Sequence, residues 1–364
     1  MKAIVNKTDL TFAVNAAEKA LGKSSISEDY ANISMSAEGT TLTLYASNGE
    51  VTITAKANAE ITEDGSAAIN GAILSAALKK ITAEEITVET QKARIVLSYN
   101  DGMIALPLLQ VDEGLISRGG KYETAITMNA TKFAGLAGCL KTFVAADETR
   151  KILRGINFST EGDKLTAVAS DAMRVTRIVQ TAETGGADFN ITVPATALNI
   201  VCQLMDKSTD TISLMLSEKR NTLRVANEVI TITTVLYNEN YPIKLEKILP
   251  KETESIVKVN KDALAQSVSR ADVVADRNNT VILDFSNPNE LTVTANSESG
   301  KMTDILKACI DGEWGKIAVS CKYISDMLKY HDGDTVELNV AGSRRPLVVY
   351  NGNATFVIVP IKID

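Results

Sequence analysis

With one histidine, His331, and four cysteines in 364 residues, this chain has little from which to assemble a metal centre or a nucleophilic triad. Cys139, Cys202, Cys309 and Cys321 show no paired ligand spacing, and a chain of this length has no need of disulfide staples, so reduced, buried thiols are expected. There is no P-loop and no glycine-rich dinucleotide fingerprint. Asp163, Asp171 and Asp284 each fall in or beside a predicted turn, where aspartate serves the backbone. His331 projects onto the apolar side of the last predicted helix, as a structural residue. No catalytic residue, metal or cofactor is expected. Aromatic residues are only 5% of the chain, so its cores must be packed mainly by Ile, Val, Leu and Ala. No apolar run approaches the roughly 20 residues that cross a bilayer. The stretch after Lys2 is broken by Asn6, Lys7 and Asp9 before a signal sequence could form. A cytoplasmic protein without membrane contact is the expectation.

What the chain does have is internal repetition. Leu42-Thr43-Leu44-Tyr45-Ala46-Ser47, Leu165-Thr166-Ala167-Val168-Ala169-Ser170 and Leu291-Thr292-Val293-Thr294-Ala295-Asn296 are near copies, about 123 and 126 residues apart. A helix-start signal recurs in the same register at Asn6, Asn129 and Asn260, each followed four positions later by Leu10, Phe133 or Leu264. A second start recurs at Asn70, Pro194 and Ser320, where proline suits a first helical turn. Each second helix is followed by a polar turn and a β-branched run: Ala83 to Thr90, Ser208 to Leu216, Asp332 to Val340.

Between the helices lie short alternating segments with Gly and Asn turns, the pattern of antiparallel strands. They read as Asn32 to Ser36, Thr41 to Ala46 and Val51 to Ala55; Gly155 to Thr160, Leu165 to Ala169 and Arg174 to Gln180; Val281 to Phe285 and Leu291 to Ala295. The fold class is therefore α+β, with three tandem repeats of two helices packed on antiparallel sheets. Boundaries near Gly119-Gly120 and Pro250 to Glu254 give domains 1–120, 121–250 and 251–364, each of common domain size.

The net charge of -7 argues against tight nonspecific binding of nucleic acid. The helices complicate that conclusion. Leu10, Ala13, Val14, Ala17 and Leu21 form one apolar stripe, and Ile73, Leu74, Ala77, Leu78 and Ile81 another, with Lys79 and Lys80 away from it. Asn199, Gln203 and Lys207 oppose Leu198, Val201, Leu204 and Met205. Lys322, Ser325 and Lys329 oppose Ile324, Met327 and Leu328. A lone lysine on such a face is ordinarily only a solvated residue. Recurrence across repeats suggests a local positive field within an acidic protein, with Glu60, Glu63, Asp64 and Glu239 confined to loops.

Three segments then match a known family in order. Leu153-Arg154-Gly155-Ile156-Asn157-Phe158 runs through Leu165 to Ser170-Asp171-Ala172-Met173-Arg174-Val175. Tyr241-Pro242 precedes Ile248-Leu249-Pro250. The chain then closes on Val357-Ile358-Val359-Pro360-Ile361. On a threefold repeat, these segments resemble the bacterial sliding clamps, the β subunits of DNA polymerase III, along essentially the whole length. The resemblance implies a head-to-tail homodimer whose six domains close a ring around double-stranded DNA, with helices inside and sheets outside.

Under that resemblance Lys79, Lys80, Lys132, Lys141, Lys207, Lys261, Arg270, Lys322 and Lys329 would face DNA, with Lys23, Arg150 and Lys151 at the rim. An apolar groove for partner peptides is implied at Leu153, Ser170, Met173, Arg174, Val175, Pro242, Ile248, Pro346, Val357, Val359, Pro360 and Ile361. Its implied clients are the DNA polymerase III catalytic subunit, the clamp loader, repair polymerases and ligase-type proteins. Met103, Ala105 and Leu106 on one chain and Val273-Val274 on the next are the candidates for ring closure. The chain departs from the family at Ala172-Met173, where Gly-His is common, and in carrying Asp364 beyond the usual end. A scaffold of stacked β-rich domains that binds proteins rather than DNA is the competing reading.

Overall fold

A computed structural model of the chain describes residues 1–23, 26–111, 114, 120–147, 149–205 and 211–362. Six helices lie among them: α1 (Lys7–Glu18), α2 (Gly71–Leu78), α3 (Ala130–Leu140), α4 (Ala195–Met205), α5 (Lys261–Val274) and α6 (Cys321–Leu328). Asparagine starts them where the repeat predicts. The side chains of Asn6, Asn70, Asn129 and Asn260 accept from the backbone N–H of Thr8, Ile73, Lys132 and Ala263 at 2.8–3.1 Å. Each satisfies one of the donors that a helix N-terminus leaves unpaired. Pro194 ends the strand Asn190–Pro194, one residue before α4, rather than lying inside the first turn. No helix among the described residues is long and apolar enough to cross a membrane.

The chain forms two compact units. The first comprises residues 1–135, 182–187 and 196–238, the second 136–181, 188–195 and 239–364. Among the described residues each holds one large antiparallel sheet, of 13 and 12 strands. The sextets found in the sequence are the centres of strands Thr41–Ser47, Lys164–Ser170 and Glu290–Ser297. Their period-two pattern sends Leu42, Leu44 and Ala46, then Leu165, Ala167 and Ala169, then Leu291, Val293 and Ala295 into the cores. Gly39 and Gly162 take φ +61° in the tight turns before the first two, a conformation that favours glycine.

Strand edges follow one rule. In the first unit, the start of strand Val51–Glu63 pairs with Thr41–Ser47 on one side and with Ile230–Val235 on the other, Ile53 facing Ile232. In the second, Arg174–Thr181 lies between Lys164–Ser170 and Ala354–Ile358, Thr176 facing Phe356. Ile53, Thr176 and Met302 are equivalent, each paired with the alanine of its sextet, Ala46, Ala169 or Ala295. The third copy differs. The Gly300–Lys307 half of strand Gly300–Gly312 pairs with Glu290–Ser297 on one side, and no described strand pairs with its other side. Strand Gly102–Pro107 likewise pairs only with Arg94–Tyr99. Both open edges expose apolar side chains, Met103 at 69% and Ile305 at 64%.

Several expectations need correction. Cys139, Cys202 and Cys321 are buried, but Cys309 is exposed, because alternation along strand Gly300–Gly312 puts it on the outward face, opposite Lys258. Ile73 is exposed and Ser75 buried, so the buried face of α2 is rotated from the projected one. Glu60 and Glu63 lie on strand Val51–Glu63 rather than in a loop. His331 follows the end of α6, and burial and the nearby Lys261 charge hold its pKa below the usual histidine value. Lys207, Gly119, Asp364 and the expected strand start at Ser208 lie outside the described residues.

Candidate functional site

In the second unit three adjacent strands, Arg174–Thr181, Ala354–Ile358 and Leu347–Asn351, bring Val175, Val357 and Val348 side by side in register. The turn Leu245–Lys247 adds Leu245 to complete a buried cluster, against which Val168, Ile243, Ile248 and Leu249 pack while still partly exposed. Of the residues carried over from the resemblance, this brings together Val175, Ile248 and Val357. Met173 and Val359 stand beside them, 54% and 37% exposed, joined by a hydrogen bond from the Val359 N–H to the Met173 carbonyl at 2.9 Å. Pro346, Pro360 and Ile361 are half-buried and Pro242 is exposed, and none belongs to the cluster. Leu153 and Ser170 are fully buried beneath the surface. Leu245, Ile243, Leu249, Val168 and Val348 were not anticipated; the first three sit inside the predicted Tyr241 to Pro250 segment, where their apolar spacing was the available signal.

The rim of this surface is set by a turn built around Arg174. The Arg174 guanidinium donates to Asp171 Oδ2 at 2.9 Å, to Asp326 Oδ2 at 2.8 Å and to the Thr142 carbonyl at 2.8 Å. It is sandwiched between the Phe143 and Tyr323 rings, 4.8 and 4.5 Å from their centroids. Asp171 Oδ1 accepts from the Met173 and Arg174 N–H groups, and Ser170 Oγ accepts from Ala172 and donates to the Arg174 carbonyl. Arg174 is thus a buried fastening, rather than a surface contact, and it ties the turn to α6. Burial pushes the Asp326 carboxyl up, but hydrogen bonds from Lys329 and Arg174 and their charges outweigh it and hold its pKa below the ordinary value. Ala172 is held at φ +76°. That conformation is costly for an L residue, and it accounts physically for the glycine common at this position in the resembling family.

The cations divide into two groups. Lys23, Lys79, Lys80, Lys132, Arg150 and Lys322 are exposed, and among the described residues none has a carboxylate within 4.0 Å. Lys141 and Lys151 are exposed as well. Three others are engaged within the second unit: Lys261 donates to the His331 carbonyl at 2.7 Å, Arg270 pairs with Asp304, and Lys329 pairs with Asp326 at 2.8 Å. Lys19, not anticipated, reaches Gln203 on α4 at 2.6 Å. At the suggested closure surfaces, Val273 is 80% exposed at the end of α5, while Val274, Ala105 and Leu106 are half-buried.

Sequence profiles of the DNA polymerase III beta subunit match nearly the whole chain, the N-terminal domain over residues 1–113, the central domain over 127–243 and the C-terminal domain over 246–362. The chain belongs to the DNA polymerase III beta subunit family. The beta sliding clamp of Bacillus subtilis (strain 168) is 24% identical over 311 residues, 83% of this chain and 82% of that protein. The beta sliding clamp homolog GriR of Streptomyces muensis is 22% identical over 340 residues, covering 90% of each. The crystal structure of the DNA polymerase sliding clamp from Bacillus subtilis shares the fold with a TM-score of 0.94 at 22% identity, covering all of both chains. A sliding clamp from Pseudomonas aeruginosa bound to griselimycin gives 0.93 at 17% identity, again over the full length of both.

Two outcomes follow for the turn. Ala172→Gly relieves the left-handed conformation and should stabilise the fold by about 1 kcal/mol, after the entropy that glycine adds to the unfolded chain is offset. A thermal melt checks the sign, and a lower melting temperature would contradict the assignment. Arg174→Ala leaves Asp326 buried beside a single partner and should cost about 3 kcal/mol or more. Because the Asp326 pKa is lowered in the folded state, its contribution is complete above the unfolded carboxylate value, about 4, and is lost as pH falls through the lower folded value. The wild-type advantage over Arg174→Ala in denaturant titrations should therefore shrink only below about pH 4; an advantage that already shrank near neutrality would contradict it.

Proposed function

We propose that this chain is a beta sliding clamp, a non-catalytic processivity factor that encircles duplex DNA and tethers the DNA polymerase III catalytic subunit. The observation that carries the reading is the strand-edge rule. Two of three equivalent edges are filled by a strand of the following repeat, while among the described residues no strand pairs with the third, Gly300–Lys307, or with the outer edge of Gly102–Pro107. An exposed edge is a template for another chain. A second copy supplying its Gly102–Pro107 strand to each Gly300–Lys307 edge repeats the junction already made twice within the chain. The interface is heterologous, and it closes when two copies complete six such junctions. The exposed Met103 and Val273, with Ala105, Leu106 and Val274, fit such a seam. Division at 1–120, 121–250 and 251–364 is supported by the spans of the family profiles.

The cations support the DNA side of the reading. Lys23, Lys79, Lys80, Lys132, Arg150 and Lys322 are available to phosphates. Lys261, Arg270 and Lys329 would first have to release their internal partners, so they contribute less. Lys141, Lys151 and Lys207 complete the set. Attraction to phosphate that is sequence-independent and screened by salt holds DNA without gripping it. The apolar surface around Val175, Leu245, Val348 and Val357 is the docking groove for the polymerase, the clamp loader and repair or ligase-type clients. Partly exposed aliphatic residues backed by a buried cluster suit the few anchors that dominate peptide affinity. Its rim is fixed by Arg174, a positioning residue.

Retention on DNA tests the proposal. After loading by a clamp loader, the protein should remain on a closed circle through a high-salt wash and leave when the circle is cut. Lys79→Glu, Lys132→Glu and Lys322→Glu together should lower loading without changing the fold. Equal retention on circular and linear DNA would reject topological tethering.

A further inference from the structure

We propose that a cavity centred on Trp314 is a second anchoring pocket for proteins docked in the groove, taking an acidic segment that carries an aromatic residue; the inference rests on the groove reading. The cavity, of about 570 Å³, lies in the second unit. Trp314 is the only tryptophan in a chain poor in aromatics, yet its side chain is 62% exposed. The buried Phe285 ring supports the wall at Gly315, where an added Cβ would meet it at 3.6 Å. Lys316, Arg344 and Lys362 also line the cavity, all exposed, and among the described residues none has a carboxylate within 4.0 Å. An exposed indole flanked by unpaired cations matches the composition of interface hot spots, which favour Trp and Arg.

The occupant follows from position and charge. Lys362 is three residues from Val359 at the groove, so the two are at most about 11 Å apart along the chain. That tail is held down by a hydrogen bond from the Ile361 N–H to the Ala318 carbonyl at 2.7 Å. On the other side Arg344 is four residues from Val348 of the groove cluster. A peptide leaving the groove in extended form therefore needs only a few residues to reach the indole. Glu254 and Glu313 line the same cavity, so anionic groups are favoured beside the three cations and disfavoured beside these two carboxylates. A peptide with a few spaced carboxylates can set them on the three cations and its aromatic ring on Trp314 while keeping clear of the glutamates, whereas a nucleic-acid backbone carries a charge at every nucleotide.

Trp314 also supplies the readout, because it is the sole indole in the chain. Three synthetic peptides would be titrated against the full-length protein: a Leu-Phe anchor alone, the anchor preceded by Asp-Phe-Glu-Asp-Gly, and the anchor followed by Gly-Asp-Phe-Glu-Asp. One extended peptide should bind at least tenfold more tightly than the anchor and alter Trp314 fluorescence at saturation. The gain should vanish in Trp314→Ala and fall in Lys316→Glu with Arg344→Glu, while anchor affinity and melting temperature stay unchanged. Anchor binding that neither extension improves would overturn the second pocket and leave the groove standing. Failure of all three peptides to bind would overturn both. Quenching of Trp314 by a ten-nucleotide oligothymidylate, without any gain from the extended peptides, would overturn the peptide assignment in favour of single-stranded nucleic acid.

Discussion

One edge of Gly300–Lys307 carries a row of backbone N–H and C=O groups with no partner strand among the described residues, and the rest of the molecule turns on that constraint. Backbone polar groups in a sheet seek partners, and the same repeat position is satisfied elsewhere in the chain by Ile230–Val235 and by Ala354–Ile358. Gly300–Lys307 lacks a described partner strand on one side, and Gly102–Pro107 has a matching outer edge to offer. Assembly is the direct remedy. A protein made of three copies of one unit can thus repeat its internal junction between molecules and enclose a space, without evolving an unrelated interface.

The two filled junctions have diverged in the surfaces they build. Around Ile230–Val235 the outward positions are Thr52, Thr233 and Arg224, whereas around Ala354–Ile358 they are Val175, Val357 and Val348. The first presents hydroxyls and an Arg224 guanidinium lying 3.7 Å from the centroid of the Tyr122 ring. The second is a buried apolar cluster completed by Leu245, with Val168, Ile243, Ile248 and Leu249 partly exposed around it. One architecture therefore carries a polar surface with a guanidinium in one place and an apolar cluster in another, through different side chains at equivalent outward positions. Arg174 adds what apolar packing does not supply: directional bonds that fix a turn and keep the surface open.

Much of the fold was legible in the sequence because repetition tripled every signal. Asn6, Asn129 and Asn260 lie in equivalent registers and all three cap helices, and the sextets fall at strand centres. The apolar surface was legible only through resemblance. Val175, Val348 and Val357 lie on strands where buried residues also occupy the other face, Thr176, Val349 and Phe356 among them, so alternation cannot say that both faces are covered or used. The engagement of Lys261 with the His331 carbonyl was hidden for a similar reason: helical projection places a side chain on a face and is blind to what a neighbouring turn offers it. Ile73 was misplaced because α2 is only eight residues long, too short for its apolar residues to fix the orientation of the face. Cys309 is exposed because it falls on the outward-facing positions of strand Gly300–Gly312, opposite Lys258, whereas the other three cysteines are buried.

Sedimentation equilibrium over a wide range of protein concentration tests the open-edge account most directly. Two copies that satisfy each other's edges should give a single species of twice 39.0 kDa that does not grow further, because closure leaves no edge exposed. A monomer at every concentration, or a mass that climbs without limit as copies add end to end, would contradict it.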